Sequence, residues 1–333
     1  MSFAVVGAGA IGGLLGARLA LADEQVTFIA RGANLEAIGQ NGFTLIEEDG
    51  TERKAACGAA AIGEANAHDF VLLALKAHQV TAVAKDLPRL FHAGTAVVTF
   101  QNGLPWWYFH KLEGPFEGRP VVAADPDGQV AANIGAERVI GAVIYPAAEL
   151  IAPGVVKVVE GNRFTIGEPD GSKSERVRRL SNALAKAGFK APISTDIRTD
   201  IWLKLWGNAT FNPISALTHA TLVDICRFPE TRALAYAVMT EARAIAEKVG
   251  AKSRISIDKR IAGAEAVGAH KTSMLQDVEA GRALELEALV GSLIELARLT
   301  ETPTPHLDAI YACGRLLAKT LGEQKGKLRV HPV

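Results

Sequence analysis

The chain has 333 residues, with 36 Lys and Arg balanced by 36 Asp and Glu, 49% hydrophobic and 22% charged residues. That composition suits a folded protein with room for two domains and excludes an intrinsically disordered chain. With no basic block there is no electrostatic footprint for nucleic acid, so a small molecule is the expected partner.

Cys57, Cys226 and Cys313 are odd in number, widely spaced and without a CxxC, so neither a disulfide framework nor a zinc site is expected. The N-terminal FAVVGAGAIGGLLGA is uncharged, yet it lacks the preceding positive residues of a secretory signal and holds too much glycine for an apolar helix. A cytoplasmic protein without a membrane segment is expected.

Phe3 to Val6 reads as a short apolar strand, followed by GAGAIGG and an amphipathic helix to about Ala22. Gly7 permits a tight turn, Gly9 lets a diphosphate approach the backbone, and Gly12 allows close packing of helix on strand. Phosphate then sits at the helix N-terminus. A second strand, VTFIA at Val26 to Ala30, completes the context that a dinucleotide fingerprint requires. Asp or Glu after that strand grips a free ribose 2′-hydroxyl, whereas a 2′-phosphate needs positive charge. Arg31 stands there, which favours NADP(H) over NAD(H), and both over FAD.

Strands are expected at Asp69 to Ala74 and Ala96 to Phe100, with a helix from about His78 to Leu87 between them. Alternating strand and helix implies a parallel doubly wound sheet whose ligands bind at strand ends. Lys76 follows the first of these strands and Gln101-Asn102-Gly103 the second. Asn-Gly alone is an ordinary turn dipeptide; its place at a strand end gives it a cofactor reading. Further β-like pieces are VIGAVIY, VVKVVE and RFTIGE between Val139 and Glu168, and Glu175 to Ala187 reads as a helix stopped by Gly188. From Ile201 onward the periodicity is helical. The fold class is an α/β Rossmann-type doubly wound domain over residues 1–196, followed by an all-α domain over 197–333.

In WLKLWGNATFNPISALT, from Trp202 to Thr218, Lys204, Asn208 and Asn212 recur every four residues. On a helix they fall at roughly 0°, 40° and 80°, within one quadrant. A solvated face and a polar binding site both account for that stripe, and asparagine, a poor helix-interior residue, favours the site. Glu230 to Val249 is an amphipathic helix expected to pack within the helical domain rather than on a membrane. In TSMLQDVEAGRALELEALVGSL, Ser273 and Glu285 would lie about 18 Å apart on one straight helix, too far to share a small substrate. Gly281 offers a break, giving a helical turn near Met274 to Val278 and a fresh helix from about Ala283. His78, His219 and His270 lack metal-ligand spacing, and the tail EQKGKLRVHPV is expected to fray.

Taken in order, GAGAIGG, Arg31, Lys76, QNG, WLKLWGNATFNP and the Ser273 to Glu285 segment resemble the ketopantoate reductase (2-dehydropantoate 2-reductase) family, from Gly7 to about Pro305. The resemblance implies an NADPH-dependent oxidoreductase of pantothenate biosynthesis that reduces the 2-keto group of ketopantoate. It implies diphosphate contacts from Gly7, Ala8, Gly9, Ala10, Ile11 and Gly12, an adenosine contact from Arg31, and cofactor contacts from Lys76, Asn102 and, by a weaker match, Ala148. Asn102 would also face substrate. Lys204 would be the proton donor, Asn208 and Asn212 the substrate amides, Ser273 a further substrate contact, and Glu285 the acidic partner beside cofactor and lysine.

Those residue types suit the chemistry. Hydride delivered to a keto carbon leaves an alkoxide, which a cation stabilises and then protonates. Burial beside tryptophans lowers the pKa of such a lysine, and a nearby carboxylate raises it. Two departures from the family pattern stand out: Leu222 where a further substrate asparagine is usual, and Trp106 and Trp107 after QNG. Packing between domains and a bulkier substrate pocket both account for the tryptophans. Reduction of another branched or aromatic 2-keto acid is therefore the alternative, and a non-catalytic nicotinamide sensor the more distant one. Monomer and homodimer are both compatible with the sequence.

Overall fold

The structure, a computed structural model, describes residues 1–252 and 255–325. Chain packing separates two units: Met1–Pro120 with Asp125–Asp200, and Val121–Ala124 with the chain from Ile201 onward.

The first unit supplies β1 (Ser2–Val6), α1 (Ala10–Leu21), β2 (Gln25–Ile29), α2 (Gly32–Asn41), β3 (Phe43–Ile46), β4 (Glu52–Ala55), β5 (Gly58–Ala60), β6 (His68–Leu73), α3 (Ala77–Val83), β7 (Phe91–Thr99), α4 (Gln129–Ile134), β8 (Val139–Ile144), β9 (Ala147–Ala152), β10 (Val155–Glu160), β11 (Phe164–Gly167) and α5 (Glu175–Lys186). Seven strands form one sheet in the order β11, β8, β7, β6, β1, β2, β5. All its pairings are parallel except that of β11 with β8. Counted from β1 within the parallel part, the order is three-two-one-four-five-six, so the direction of winding reverses between β1 and β6. Continuous apolar runs such as FAVV and FVLL arise because both faces of a parallel sheet are covered. Phe3 of β1 stacks on Phe70 of β6 with ring centroids 5.3 Å apart.

Helix α1 departs from the expected amphipathic pattern. It touches the main sheet and also a second sheet of order β4, β3, β10, β9, and Leu14, Leu15, Ala17 and Leu19 are all buried. The glycines beyond the fingerprint serve this packing. A Cβ on Gly13 would lie 2.5 Å from the Phe43 ring of β3, and one on Gly16 would lie 2.3 Å from Phe28 of β2. Strands β3, β4, β5 and β9 and helix α2 escape the sequence reading. Strand β4, ERKA, is an edge strand with exposed charges, and β9 turns Glu149, Leu150 and Ile151 outward, so neither shows alternation.

The second unit is helical. Helix α6 (Ile197–Thr218) starts four residues before Ile201 in the first unit and continues into the second. It is followed by α7 (Leu222–Arg227), α8 (Pro229–Lys248), α9 (Ile257–Ala266), α10 (Ser273–Glu279), α11 (Ser292–Leu299) and α12 (Pro305–Glu323). Trp206 Nε1 donates to the Met239 carbonyl at 2.7 Å, tying α6 to α8. Side-chain caps start α9 and α10, where Ser256 and Thr272 accept from the backbone of Lys259 and Leu275; such caps are worth about 1 kcal/mol each. The chain after Gly281 stays irregular as far as Glu285, and helix resumes at Leu286 rather than Ala283, as a π-turn over Glu287–Gly291. Gly281 takes φ +63° there. Val121–Ala124 joins this unit because the Glu295 carboxylate accepts from Val122 N at 2.8 Å and Ala123 N at 2.7 Å. No helix among the described residues is long and apolar enough to cross a membrane. The tail after Lys325 lies outside the described residues.

Candidate active site

In the first unit, the residues expected to hold a dinucleotide lie at the carboxyl ends of neighbouring strands: the Gly7 turn after β1, Arg31 after β2, Lys76 after β6 and Asn102 after β7. Gly7 has φ +106°, and a Cβ on Gly12 would fall 1.9 Å from the Gly7 carbonyl oxygen. Only glycine at position 12 lets the helix close on the turn. A Cβ on Gly9, by contrast, would meet nothing within 4 Å. Gly9 is the N-cap of α1, no side chain caps that end, and its first turn carries no acid. Open space above uncapped N–H groups at the positive end of a helix is what a diphosphate requires. Ala8, Ala10 and Ile11 complete the turn, with Ala8 buried.

Arg31 is exposed and serves as the N-cap of α2, whose first turn also lacks acid. A ribose 2′-phosphate there would meet a guanidinium and a helix N-terminus together. Lys76 is the N-cap of α3, its backbone N–H donating to Gln79 Oε1 at 3.2 Å. Ala148 sits partly buried on β9 of the smaller sheet, paired with Val158 of β10.

In the second unit, α6 is buried around most of its circumference, and the polar stripe is buried at Asn212 and partly exposed at Lys204 and Asn208. Trp202, Leu205, Trp206, Ala209, Thr210 and Phe211 are buried around it, and Asn212 is only 5% exposed. Lys204 and Asn208 are half-buried. Asn212 Nδ2 lies 3.4 Å from Ser273 Oγ, so α6 and α10 bring two of the expected substrate groups together. Pro213, which cannot donate to a preceding carbonyl, follows Asn212 directly. Burial pulls Lys204 down from 10.5 to about 8, outweighing the opposite pull of Glu285. Glu285 stands just ahead of the resumed helix, its carbonyl accepting from Leu289 N at 3.1 Å. The broken helix thus delivers both Ser273 and Glu285 to the surroundings of α6. A lysine of pKa near 8 remains mostly protonated at neutral pH yet releases its proton readily.

The two departures resolve differently. Leu222 opens α7 with its N–H bonded to the His270 carbonyl at 3.0 Å. Trp107 is a core residue of the first unit: its Nε1 donates to Thr99 Oγ1 at 3.0 Å, and a Cβ on Gly141 would lie 2.7 Å from its ring. Trp106 is 8% exposed, and its Nε1 has no hydrogen-bond partner among the described residues.

Some supporting residues carry no sequence signal of their own. Buried Arg198 donates through Nε to the Tyr108 carbonyl at 2.7 Å and through its other nitrogens to the Pro169 and His110 carbonyls, pinning the loop beyond Asn102. A Cβ on Gly207, one turn past Lys204, would run into the Arg260 guanidinium of α9, which lies directly on α6. Arginines bonded to carbonyls and glycines under side chains become visible only once distant segments meet. Among the described residues no group of His, Cys, Asp and Glu could hold a metal ion.

Two sequence models match the chain: one described as "Ketopantoate reductase PanE/ApbA" over residues 3–171, and one described as "Ketopantoate reductase PanE/ApbA C terminal" over residues 196–318. The chain is 52% identical over 324 residues to a 2-dehydropantoate 2-reductase of Mesorhizobium japonicum, covering 97% of this chain and 99% of that one. It is 30% identical over 292 residues to a 2-dehydropantoate 2-reductase of Archaeoglobus fulgidus, covering 87% and 89%. A crystal structure from Ralstonia solanacearum, described as a candidate ketopantoate reductase, is similar with a TM-score of 0.92 and 39% identity, covering 96% of this chain and 98% of that one.

Proposed function

The chain belongs to the ketopantoate reductase family, and from that premise we propose that it is an NADPH-dependent 2-dehydropantoate 2-reductase with Lys204 as its proton donor. The observation that carries the chemistry is the α6 stripe: Lys204 and Asn208 half-buried and in line with Asn212, which lies 3.4 Å from Ser273 Oγ, with burial lowering Lys204 to about 8 against the pull of Glu285. The likeness to the Mesorhizobium enzyme along nearly the whole chain carries the substrate.

Once bound, NADPH would supply the hydride for the keto carbon. Gly7 to Gly12 would hold its diphosphate at the α1 N-terminus, Arg31 would select the 2′-phosphate, and Ala148 would add a further cofactor contact. Lys76, Asn102 and Glu285 would supply the remaining cofactor contacts, and Asn102 would also face substrate. Lys204 stabilises negative charge on the carbonyl oxygen and passes its proton there, leaving a neutral amine. Glu285 keeps that lysine charged beforehand by offsetting part of the burial penalty. Asn208, Asn212 and Ser273 orient the carboxylate and hydroxyl of the substrate with neutral hydrogen bonds, and that positioning is a large share of the rate gain. The same reading places the enzyme in the cytoplasm.

The test is oxidation of NADPH by the purified chain with ketopantoate, set beside a panel of branched and aromatic 2-keto acids. Ketopantoate should be the best substrate. Absent turnover on it, together with good turnover on another acid, would shift the assignment to that acid.

A further inference from the structure

Where β6 and β7 run out of ladder hydrogen bonds, one side chain takes over. Gln101, half-buried, stands directly before Asn102 and after the β7 segment. Its Nε2 donates to the Leu73 carbonyl at 2.7 Å and to the Leu75 carbonyl at 3.2 Å. Leu73 is the last residue of β6, and its carbonyl also accepts from Phe100 N at 3.1 Å as the two strands part. Leu75 directly precedes Lys76. One amide therefore joins the loop that carries Asn102 to the loop that carries Lys76.

The connection reaches the glycine turn as well. Ala74 N donates to the Val6 carbonyl at 2.9 Å, and a Cβ on Gly7 would lie 2.9 Å from Leu75 Cδ2 and 3.1 Å from the Ala74 carbonyl group. Ala74 and Leu75 thus lie between the Gly7 turn and Gln101. Parallel ladders end where strands diverge, and the carbonyls left over must find other donors. Here the donor comes from the residue adjoining a site residue, and both of its acceptors belong to the neighbouring loop.

We infer that Gln101 is a positioning residue of the reductase: its paired hydrogen bonds to the Leu73 and Leu75 carbonyls fix Asn102 relative to Lys76 and the Gly7 turn. The inference deepens the proposed function and rests on it. Gln101 touches no reacting atom in this role; it acts through Asn102 and Lys76. A methionine at 101 keeps the length and removes the donor, and with it the tie from the Asn102 loop to the Leu73 and Leu75 carbonyls.

The experiment measures NADPH affinity by direct titration and kcat with ketopantoate, for wild type, Gln101→Met, Asn102→Ala and the double variant. Gln101→Met should weaken NADPH binding and lower kcat, each by roughly tenfold, the size of one misplaced or lost hydrogen bond. In the Asn102→Ala background the same substitution should lower kcat by less than threefold, because the residue being positioned is already gone. A merely structural glutamine would lower kcat by the same factor in both backgrounds, and that result overturns the inference, as does a Gln101→Met enzyme within twofold of wild type. If Gln101→Met fails to fold, Gln101→Asn serves instead: its shorter amide cannot span to both carbonyls, and the same loss and the same non-additivity are expected. Wild-type protein that binds no NADPH or leaves ketopantoate unreduced overturns the proposed function itself, a failure read before any variant is compared.

Discussion

The turn from β1 into α1 and the stripe along α6 are built from different materials. The turn offers backbone: a left-handed glycine, uncapped N–H groups and open space above Gly9. The stripe offers side chains: an ammonium and two amides on a helix whose other faces are buried. Backbone sites are specified by what must be absent, a Cβ here or a cap there, and so depend on few contacts from elsewhere. Side-chain sites depend on their surroundings, because Lys204 has its lowered pKa only where neighbouring elements partly bury it, with Glu285 pulling the other way. Damage to the first should therefore appear as lost binding and lost stability, and damage to the second as lost turnover with the fold intact.

The sharpest contrast comes from Lys204→Met. Loss of a positioned general acid should lower kcat by about 10²- to 10⁴-fold, with NADPH affinity by titration close to wild type. Stability should move the opposite way. Burial favours the neutral lysine in the folded state, so the charge is a burden below about pH 8 that fades as pH rises and is gone above 10.5, where the unfolded chain is neutral too. Lys204→Met should accordingly raise Tm at neutral pH and leave it unchanged above pH 10.5. An equal Tm gain at both would break the argument.

Gly12→Ala should do the reverse. With its Cβ due 1.9 Å from the Gly7 carbonyl oxygen, backbone must shift, and overpacking of this kind costs about 1–3 kcal/mol. Thermal melting should show that loss, and titration should show NADPH and NADH affinity falling together. Arg31→Ala should be milder and selective. One charge-assisted contact is worth about 1.5–3 kcal/mol, so NADPH affinity should drop roughly 10- to 100-fold while NADH affinity stays put. If both cofactors weaken equally, Arg31 is not reading the 2′-phosphate.

The same division explains what could be read in advance. Gly7, Gly9, Gly12, Arg31, Lys76 and Asn102 were legible because they follow apolar runs, and a doubly wound sheet places strand ends side by side. The stripe was legible as geometry, since Lys204, Asn208 and Asn212 share a helix face by spacing alone, but the family resemblance was needed to give it a role. The smaller sheet was not legible. Its outward-facing edge strands look like loops, and the apolar positions of β3 matter only because Gly13 lets Phe43 lie on α1. Within QNG the separate part of Gln101 was not legible, since its partners, the carbonyls of Leu73 and Leu75, are groups that any residue would supply.

Glu285 tests the coupling within the second region. It pulls the pKa of Lys204 upward, so Glu285→Gln removes that influence and lets burial take Lys204 further below about 8. The alkaline fall of kcat should move to lower pH, with a loss at neutral pH smaller than that of Lys204→Met. A profile that moves to higher pH instead would mean that Glu285 does not support the charged lysine.

The smallest expected effect asks whether the loop after Asn102 belongs to the backbone-built region or to the substrate. Trp106 and Trp107 are adjacent and both buried, yet among the described residues only Trp107 has a partner for its indole N–H, Thr99 Oγ1 at 3.0 Å. Replacing either by phenylalanine removes similar volume, so the cavity cost is comparable and the difference between the variants reports the N–H. Trp107→Phe should be the less stable by about 1 kcal/mol in denaturant unfolding, because it loses a hydrogen bond and orphans the threonine hydroxyl. Trp106→Phe gives up no such bond among the described residues. Should the Trp106 N–H instead serve substrate, its loss would appear as a raised KM for ketopantoate, and the loop would belong with α6 in function although it packs with the sheet.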